Sequence, residues 1–382
     1  MPPQSPGPGG MQADNGLSPQ ERPLGALKLP LGIIGLVVLA LLLAGGYFYA
    51  PTPSSTDSDA QFIEAPTGLL VMAIAPLRDD GSTDWIFPTI YNLMLQELAY
   101  VPVDKLAASR DGVNLAYQHV FSHNGNFVVF TGAVNVDGAT SLSSIPTQVY
   151  RADVSDALTY DDFVRKVQDA ERITESSGIV QQFPSVSNVG DVLYITHVTE
   201  AENQALFTSK AESWDIRLVS HRGEERFLTK GIHPKWVDDS RFVFLKNDGL
   251  YLYDLAGGSG QKIWDMRGTA TMRMSLDVSD DGQYVAWASP ESGRVLILRA
   301  LNWGTNSLTL KGALTTTLGM YAVFSPDSRF VAVQRPEPTD ETLKNWMSVI
   351  NIFDIETLTE ASPPLPFVGS DPNVIYLTDW RP

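Results

Sequence analysis

The sequence predicts an all-β fold: a six-bladed propeller of four-stranded blades, preceded by a single transmembrane α-helix and a disordered N-terminal tail. Three observations predict it. Five turn-and-strand units of one plan recur between residues 120 and 333. Each is followed by a further segment of alternating apolar and polar residues, and one uncharged apolar run occupies residues 29–50. Self-similarity at a period of roughly 45 residues, with several short strands per unit, is the mark of propeller blades.

In chain order, residues 1–28 are rich in Pro, Gly, Gln and Ser, with too few large apolar groups to offset the entropy of ordering, and read as a disordered tail. Residues 29–50 carry no charge. A helix rises 1.5 Å per residue, so about 20 such residues cross a bilayer. Arg22 and Lys28 precede the run, whereas residues 51–64 offer only Asp57, Asp59 and Glu64. Basic residues stay on the cytoplasmic side, so the tail is expected inside and the rest outside, with Tyr47 and Tyr49 at the outer interface. A cleaved signal peptide would need a shorter lead, a shorter apolar core and a small-residue cleavage site. Here two bulky rings and Pro51 surround the best candidate, Ala50. A buried core helix is disfavoured because nothing polar interrupts the run. Residues 51–66 form a polar, Pro-containing linker, and residues 67–382 are the propeller.

The repeated units are Val120–Phe130, Val186–Ile195, Lys235–Leu245, Asp277–Trp287 and Val323–Val333. Each has an apolar residue, a Ser-x-Asp/Asn-Gly type turn and an apolar strand. Asn-Gly and Asp-Gly accept the positive φ of a tight hairpin, and the β-branched and aromatic run that follows suits a buried pleated surface. Alternating companions follow at 148–154, 215–220, 249–254, 294–299 and 348–354, with short fourth strands at 171–174 and 226–229. The terminal stretch 374–382 reads as a first strand without its blade. Strand-like segments at 68–74 and 89–95 can supply the missing partners, which closes the ring through its two ends and leaves no open sheet edge. Residues 88–99 also carry Ile90, Leu93, Met94 and Leu98 at helical spacing, so helix and strand both stay open there. Residues 160–170 have acids first and bases later, as a short amphipathic helix prefers. That helix is a loop cover or a docking element.

Phe324-Ser-Pro-Asp-Ser-Arg-Phe-Val-Ala-Val333, and next to it Glu171–Ser187, resemble the WD40-like (PD40) repeat of TolB-type six-bladed propellers over about residues 115 to 382. Other units lose the proline, and Asp238-Asp-Ser240 loses the glycine. The resemblance implies a propeller in a bacterial envelope, without that family's separate N-terminal α/β domain. The anchor in the inner (cytoplasmic) membrane, with the domain periplasmic or extracellular, is read from the apolar run and its basic flank and departs from the family. It does not by itself imply a chemistry.

The chain has no cysteine, which removes disulfides, thiol catalysis and thiolate metal sites together. Its net charge of −17 argues against nucleic acid and against a polybasic lipid-binding face, and reads most simply as solubility. Gly257-Gly-Ser-Gly260 has the wrong spacing and context for a nucleophile elbow and reads as a turn. His119 and His123 are four apart but on a strand and turn, not a helix. His197, His221 and His233 are dispersed. Residues 277–282 and 78–84 are oxygen-rich but lack the acid at position twelve of a calcium loop. No catalytic residue, metal ligand or cofactor site is therefore assigned. The loops leading into the innermost strands carry Phe183, His233, Lys235, Arg273, Met320 and Tyr321, residue types enriched in interface cores, although such side chains also serve blade packing. The expected function is a non-enzymatic, membrane-anchored interaction or scaffold module binding a protein partner of the envelope or membrane at the funnel rim. The alternative is a propeller hydrolase or lyase of the lactonase or glycan-processing type. Three or more Asp, Glu or His side chains converging on the axis would favour the alternative.

Overall fold

The hairpins form because their turns are held by side-chain oxygens. The Ser122 hydroxyl donates to Asn124 Oδ1 at 2.7 Å and accepts the Phe127 N–H at 3.1 Å. Ser279 does the same with Asp281 at 2.6 Å and Tyr284 at 2.9 Å, and Ser325 with Asp327 at 2.5 Å and Phe330 at 2.9 Å. Each serine thus replaces the ladder partner that the turning backbone loses. Gly125 (φ 72°), Gly190 (φ 86°) and Gly282 (φ 68°) close their turns in the left-handed region, and Ser328 (φ 57°) takes that conformation without being glycine. A Cβ at Gly282 would lie 3.2 Å from the Val237 carbonyl oxygen. Gly282→Val is therefore expected to destabilise the fold by about 1–2 kcal/mol, as a lowered urea midpoint at unchanged slope.

The computed structural model describes residues 66–67, 69–75, 87–93, 97–100, 113–134, 146–174, 180–197, 211–266, 270, 275–289, 294–303, 307–315, 321–338, 346–366 and 374–381. All lie in one compact unit, Ile63–Pro382. The expected tail, apolar run and linker lie outside the described residues, except Pro66. Among the described residues no helix is long and apolar enough to cross a membrane.

Those residues form an all-β propeller. Five four-stranded antiparallel sheets are built from consecutive strands. The first holds β4 (Val113–Phe121), β5 (Phe127–Val134), β6 (Gln148–Asp153) and β7 (Glu171–Arg172). The second holds β8 (Gln181–Val186), β9 (Val192–His197), β10 (Trp214–Val219) and β11 (Glu225–Lys230). Next come β12 (Ile232–Asp238), β13 (Arg241–Lys246), β14 (Gly249–Asp254) and β15 (Ser259–Asp265), then β16 (Leu276–Val278), β17 (Tyr284–Ser289), β18 (Arg294–Asn302) and β19 (Ser307–Thr315). The fifth holds β20 (Tyr321–Phe324), β21 (Phe330–Pro338), β22 (Trp346–Asp354) and β23 (Leu365–Pro366). One more four-stranded sheet joins the two ends, in the order β24 (Val374–Arg381), β1 (Leu69–Ala75), β2 (Phe87–Asn92) and β3 (Glu97–Tyr100). Its β1–β24 register runs from Leu69 opposite Arg381 to Ala75 opposite Val374. The open choice falls to strand at residues 88–92 and 97–99, because β2 pairs with β1 on one side and β3 on the other. The first strands contact one another in sequence, and β24 touches both β20 and β4.

Trp214, Trp236 and Trp380 are fully buried between blades, where each ring removes a large apolar area from water. Phe130 stacks on Tyr150 within the first blade, and Phe242 on Tyr253 within the third. Helix α1 (Tyr160–Gln168) lies in the connection between β6 and β7, as its charge pattern predicts. Thr159 caps it by accepting the Asp162 N–H, Asp161 and Asp162 stand in its first turn, and Val167 is buried against the first blade.

Candidate functional site at the centre of the ring

The turns that end the innermost strands interlock around the axis. Asn188 Oδ1 accepts the Asn124 N–H at 2.8 Å, Asp239 Oδ1 accepts the Asn188 N–H at 2.9 Å, and Ser328 Oγ accepts the Asp281 N–H at 3.2 Å. Further up the strands, Asp277 Oδ2 accepts the Phe324 N–H at 2.9 Å, Asp379 Oδ2 accepts the Phe121 N–H at 2.7 Å, and Ser275 Oγ accepts the Ala322 N–H at 2.9 Å. Each bond runs from one blade to the next, so the polar groups on the first strands fasten the ring.

At this turn end a small cavity of about 20 Å³ is lined by His123, Lys235, Asp277, Asp280, Asp379 and Arg381. That is room for about one water. Lys235 Nζ lies 3.2 Å from Asp277 Oδ1. Arg381 places Nε and Nη2 on Asp379 Oδ2 at 3.1 and 2.9 Å, donates to the Ser122 and Phe121 carbonyls at 3.0 and 2.9 Å, and approaches Asp280 at 3.7 Å. The residue that ends β24 is therefore the central cation of the cluster. Burial pushes the Asp280 carboxyl up to about 7 against the opposing pull of Arg381. Burial likewise lowers His123, although Asp277 opposes it, and so favours a neutral imidazole.

Asp280 carries a pH signature. Its ordinary value of 3.8 applies to the unfolded chain and about 7 to the fold, so its ionisation costs stability progressively as pH rises between the two. Below 3.8 both states hold the proton and nothing is lost. Asp280→Asn is expected to raise the melting temperature at pH 8 and leave it nearly unchanged at pH 3.5, a difference that thermal melts at the two pH values read directly.

Four of the six residues expected at the rim lie among the described residues, in different surroundings. Phe183 and His233 meet, with ring centroids 4.3 Å apart, but His233 is 4% exposed. Lys235 instead lines the polar cavity, and half-buried Tyr321 packs against the cluster containing Leu70 and Trp380. Arg273 and Met320 lie outside the described residues. Their surroundings are shaped by a repeated bulge. Gln118 (φ 56°), Phe183 (φ 51°) and His233 (φ 52°) take positive φ at one equivalent place, where β4, β8 and β12 each slip register against their neighbours. Such a bulge re-aims the residues on either side of it. Gln118 Oε1 accepts the Phe183 N–H at 2.9 Å, which links the first bulge to the second.

His119 and His123 also part, with His119 stacked on Phe130 at 4.9 Å. Sequence reading missed Asp280, Asp379 and Arg381 as channel residues. The only available signal was their equivalence to positions beside the repeated turn. His123, Asp277, Asp280 and Asp379 do converge near the axis, but Lys235 and Arg381 share the space. Among the described residues no group of three or more His, Asp or Glu is arranged to hold a metal ion.

The class that fold and site define is a β-propeller with a polar, ion-paired channel. No family model matches the chain, and no curated protein matches it in sequence. Among solved structures it is similar to an oligogalacturonate lyase in complex with manganese (13% identity, 81% of this chain and 84% of that one, TM-score 0.44). It is also similar to a chain of a nidogen/laminin complex (9%, 82% and 100%, 0.47) and to the hydrazine synthase of Kuenenia stuttgartiensis (8%, 86% and 51%, 0.45).

Proposed function

We propose that the chain is a membrane-anchored, non-enzymatic interaction module of the TolB-like, PD40-repeat kind, in a bacterial envelope, and that the composite β24–β1–β2–β3 sheet is its sixth blade. The partner is a protein bound at the opening where the innermost strands begin. One observation carries this reading: the opposite, turn end of the channel is filled by the chain's own ion pairs, with space left for about one water. A substrate-sized molecule has no room there. The uncharged run at 29–50 and the basic residues before it support the anchor.

Photo-crosslinking of the full-length protein in its native membrane tests the reading. A photoreactive residue at Phe183 or Tyr321 is expected to give one discrete protein adduct, and the same residue at exposed Phe227 on β11 none. Adducts from Phe227 alone would move the surface to the outer edge. A second reading, the hydrolase or lyase, is favoured by one observation, the convergence of four acid or histidine side chains with Asp280 raised to about 7. It requires turnover of a lactone or glycan that Asp280→Asn abolishes.

A further inference from the structure

Between the β12–β15 and β16–β19 blades, away from the central cavity, lies a second cavity of about 410 Å³. Asp238 and Arg241 bound it on one side, and Asp281, Gln283, Arg299 and Trp303 on the other. The volume falls in the range of small-molecule sites. Its polar groups are held in advance. Arg241 donates from Nε and Nη2 to Asp238 Oδ2 at 2.9 and 2.5 Å, which fixes the plane of the guanidinium. Asp281 Oδ1 is taken by the Ser279 hydroxyl at 2.6 Å and the Gln283 N–H at 2.9 Å, leaving its second oxygen outside those bonds. Half-buried Trp303 donates its indole N–H to the Gly282 carbonyl at 2.7 Å, which sets the ring in the wall while one side packs on the core cluster around Val237.

The chemistry of these groups selects a ligand class. Two arginines and two aspartates give the wall no formal net charge, so an anion gains no surplus positive charge and a cation none of the opposite sign. Arg241 and Asp238 spend their fork and both carboxylate oxygens on each other and on Ser240, so what remains for a ligand is an aromatic platform beside the Arg299 guanidinium and the second Asp281 oxygen, which can take adjacent hydroxyls. A ligand with one apolar face and a rim of hydroxyls satisfies both, because an indole packs against C–H groups while the planar polar groups take the hydroxyls. We propose that this inter-blade cavity binds a neutral saccharide. Trp303 is the stacking platform, and Arg299 and Asp281 form the hydrogen-bonding rim, with the Arg241–Asp238 pair as fixed wall.

The test is calorimetric titration of the full-length protein, in a zwitterionic detergent without a sugar headgroup, with cellotriose, maltotriose and chitotriose. Trigalacturonate serves as the anionic counterpart. The expected result is saturable binding of at least one neutral trisaccharide at about millimolar Kd or tighter, weakened roughly tenfold or more by Arg299→Ala and by Trp303→Leu. Arg299 is exposed, so Arg299→Ala alone decides the outcome if Trp303→Leu fails to fold. The proposal is overturned if no neutral trisaccharide binds saturably, if Arg299→Ala leaves binding unchanged, or if trigalacturonate binds more tightly than all three.

Discussion

Truncation after residue 370 is expected to abolish cooperative unfolding and leave an aggregating chain, while the full propeller retains a sharp transition. Residues 374–381 supply the β24 strand that pairs along the whole of β1. Without it, β1 presents a row of unpaired backbone groups, a template for association between chains. The loss also removes Trp380, which is 1% exposed, donates its indole N–H to the Thr67 carbonyl at 2.9 Å and lies beside Phe330. Removing a buried Trp alone costs about 3–5 kcal/mol, a large share of the roughly 5–15 kcal/mol that holds a domain together. Calorimetric melting and light scattering of the truncated and full-length chains measure both effects. Equal transitions would refute closure through the termini.

The second large effect concerns Asp379. Its Oδ2 accepts from the Arg381 guanidinium and from the Phe121 N–H, and both Asp379 and Arg381 are 9% exposed. Asp379→Ala leaves a buried guanidinium with only the more distant Asp280 carboxyl, 3.7 Å away, and a partly buried N–H without its acceptor. An ion pair broken on one side costs about 3–5 kcal/mol, because the surviving charge remains desolvated. Replacing both members, Asp379→Ala with Arg381→Met, removes that charge and is expected to be more stable than the single variant by about 1 kcal/mol or more. Recovery stays partial because the Phe121 and Ser122 carbonyls lose their donor. Urea titrations of the three proteins give the order. A double variant less stable than Asp379→Ala would mean that Arg381 stabilises the ring independently of its carboxylate.

What could be read from sequence divides by distance along the chain. The inner turns were legible because a serine and an Asp or Asn two residues later satisfy the turn with their own oxygens, a bond no other element has to supply. Helix α1 was legible because its acids-first, bases-later pattern is likewise local to the segment; its Thr159 cap was not read from the sequence. Residues 88–99 carried conflicting patterns because helical spacing is local, whereas the β1 and β3 partners that decide the outcome are not. The pairing of Lys235 with Asp277 joins different blades, and Arg381 reaches Ser122 of the neighbouring sheet although the two are 259 positions apart in the chain. Nothing in the neighbouring sequence marks either. The positive φ at Gln118, Phe183 and His233 was equally hidden, since no glycine announces it and two of the three precede proline. That hidden bulge buries His233 against Phe183 and leaves Lys235 lining the polar cavity, an outcome the alignment of the repeats did not show.

The proposed closure of the ring rests on the pairing of β1 with β24, the strand that brings Asp379 and Arg381 into the ion-paired cluster, and the cysteine-free chain permits a direct measurement. Ala73 and Tyr376 are register partners in the β1–β24 pair. Directly opposed antiparallel residues have Cα atoms about 4.5–5.5 Å apart, within the span a disulfide tolerates. Ala73→Cys with Tyr376→Cys is expected to form an intramolecular disulfide almost completely under mild oxidation, seen as a compact band on non-reducing gels. Ala73→Cys with Leu377→Cys, one residue out of register and on the opposite face, is expected to form little. Equal or absent cross-linking in the two pairs would contradict closure of the ring by its ends.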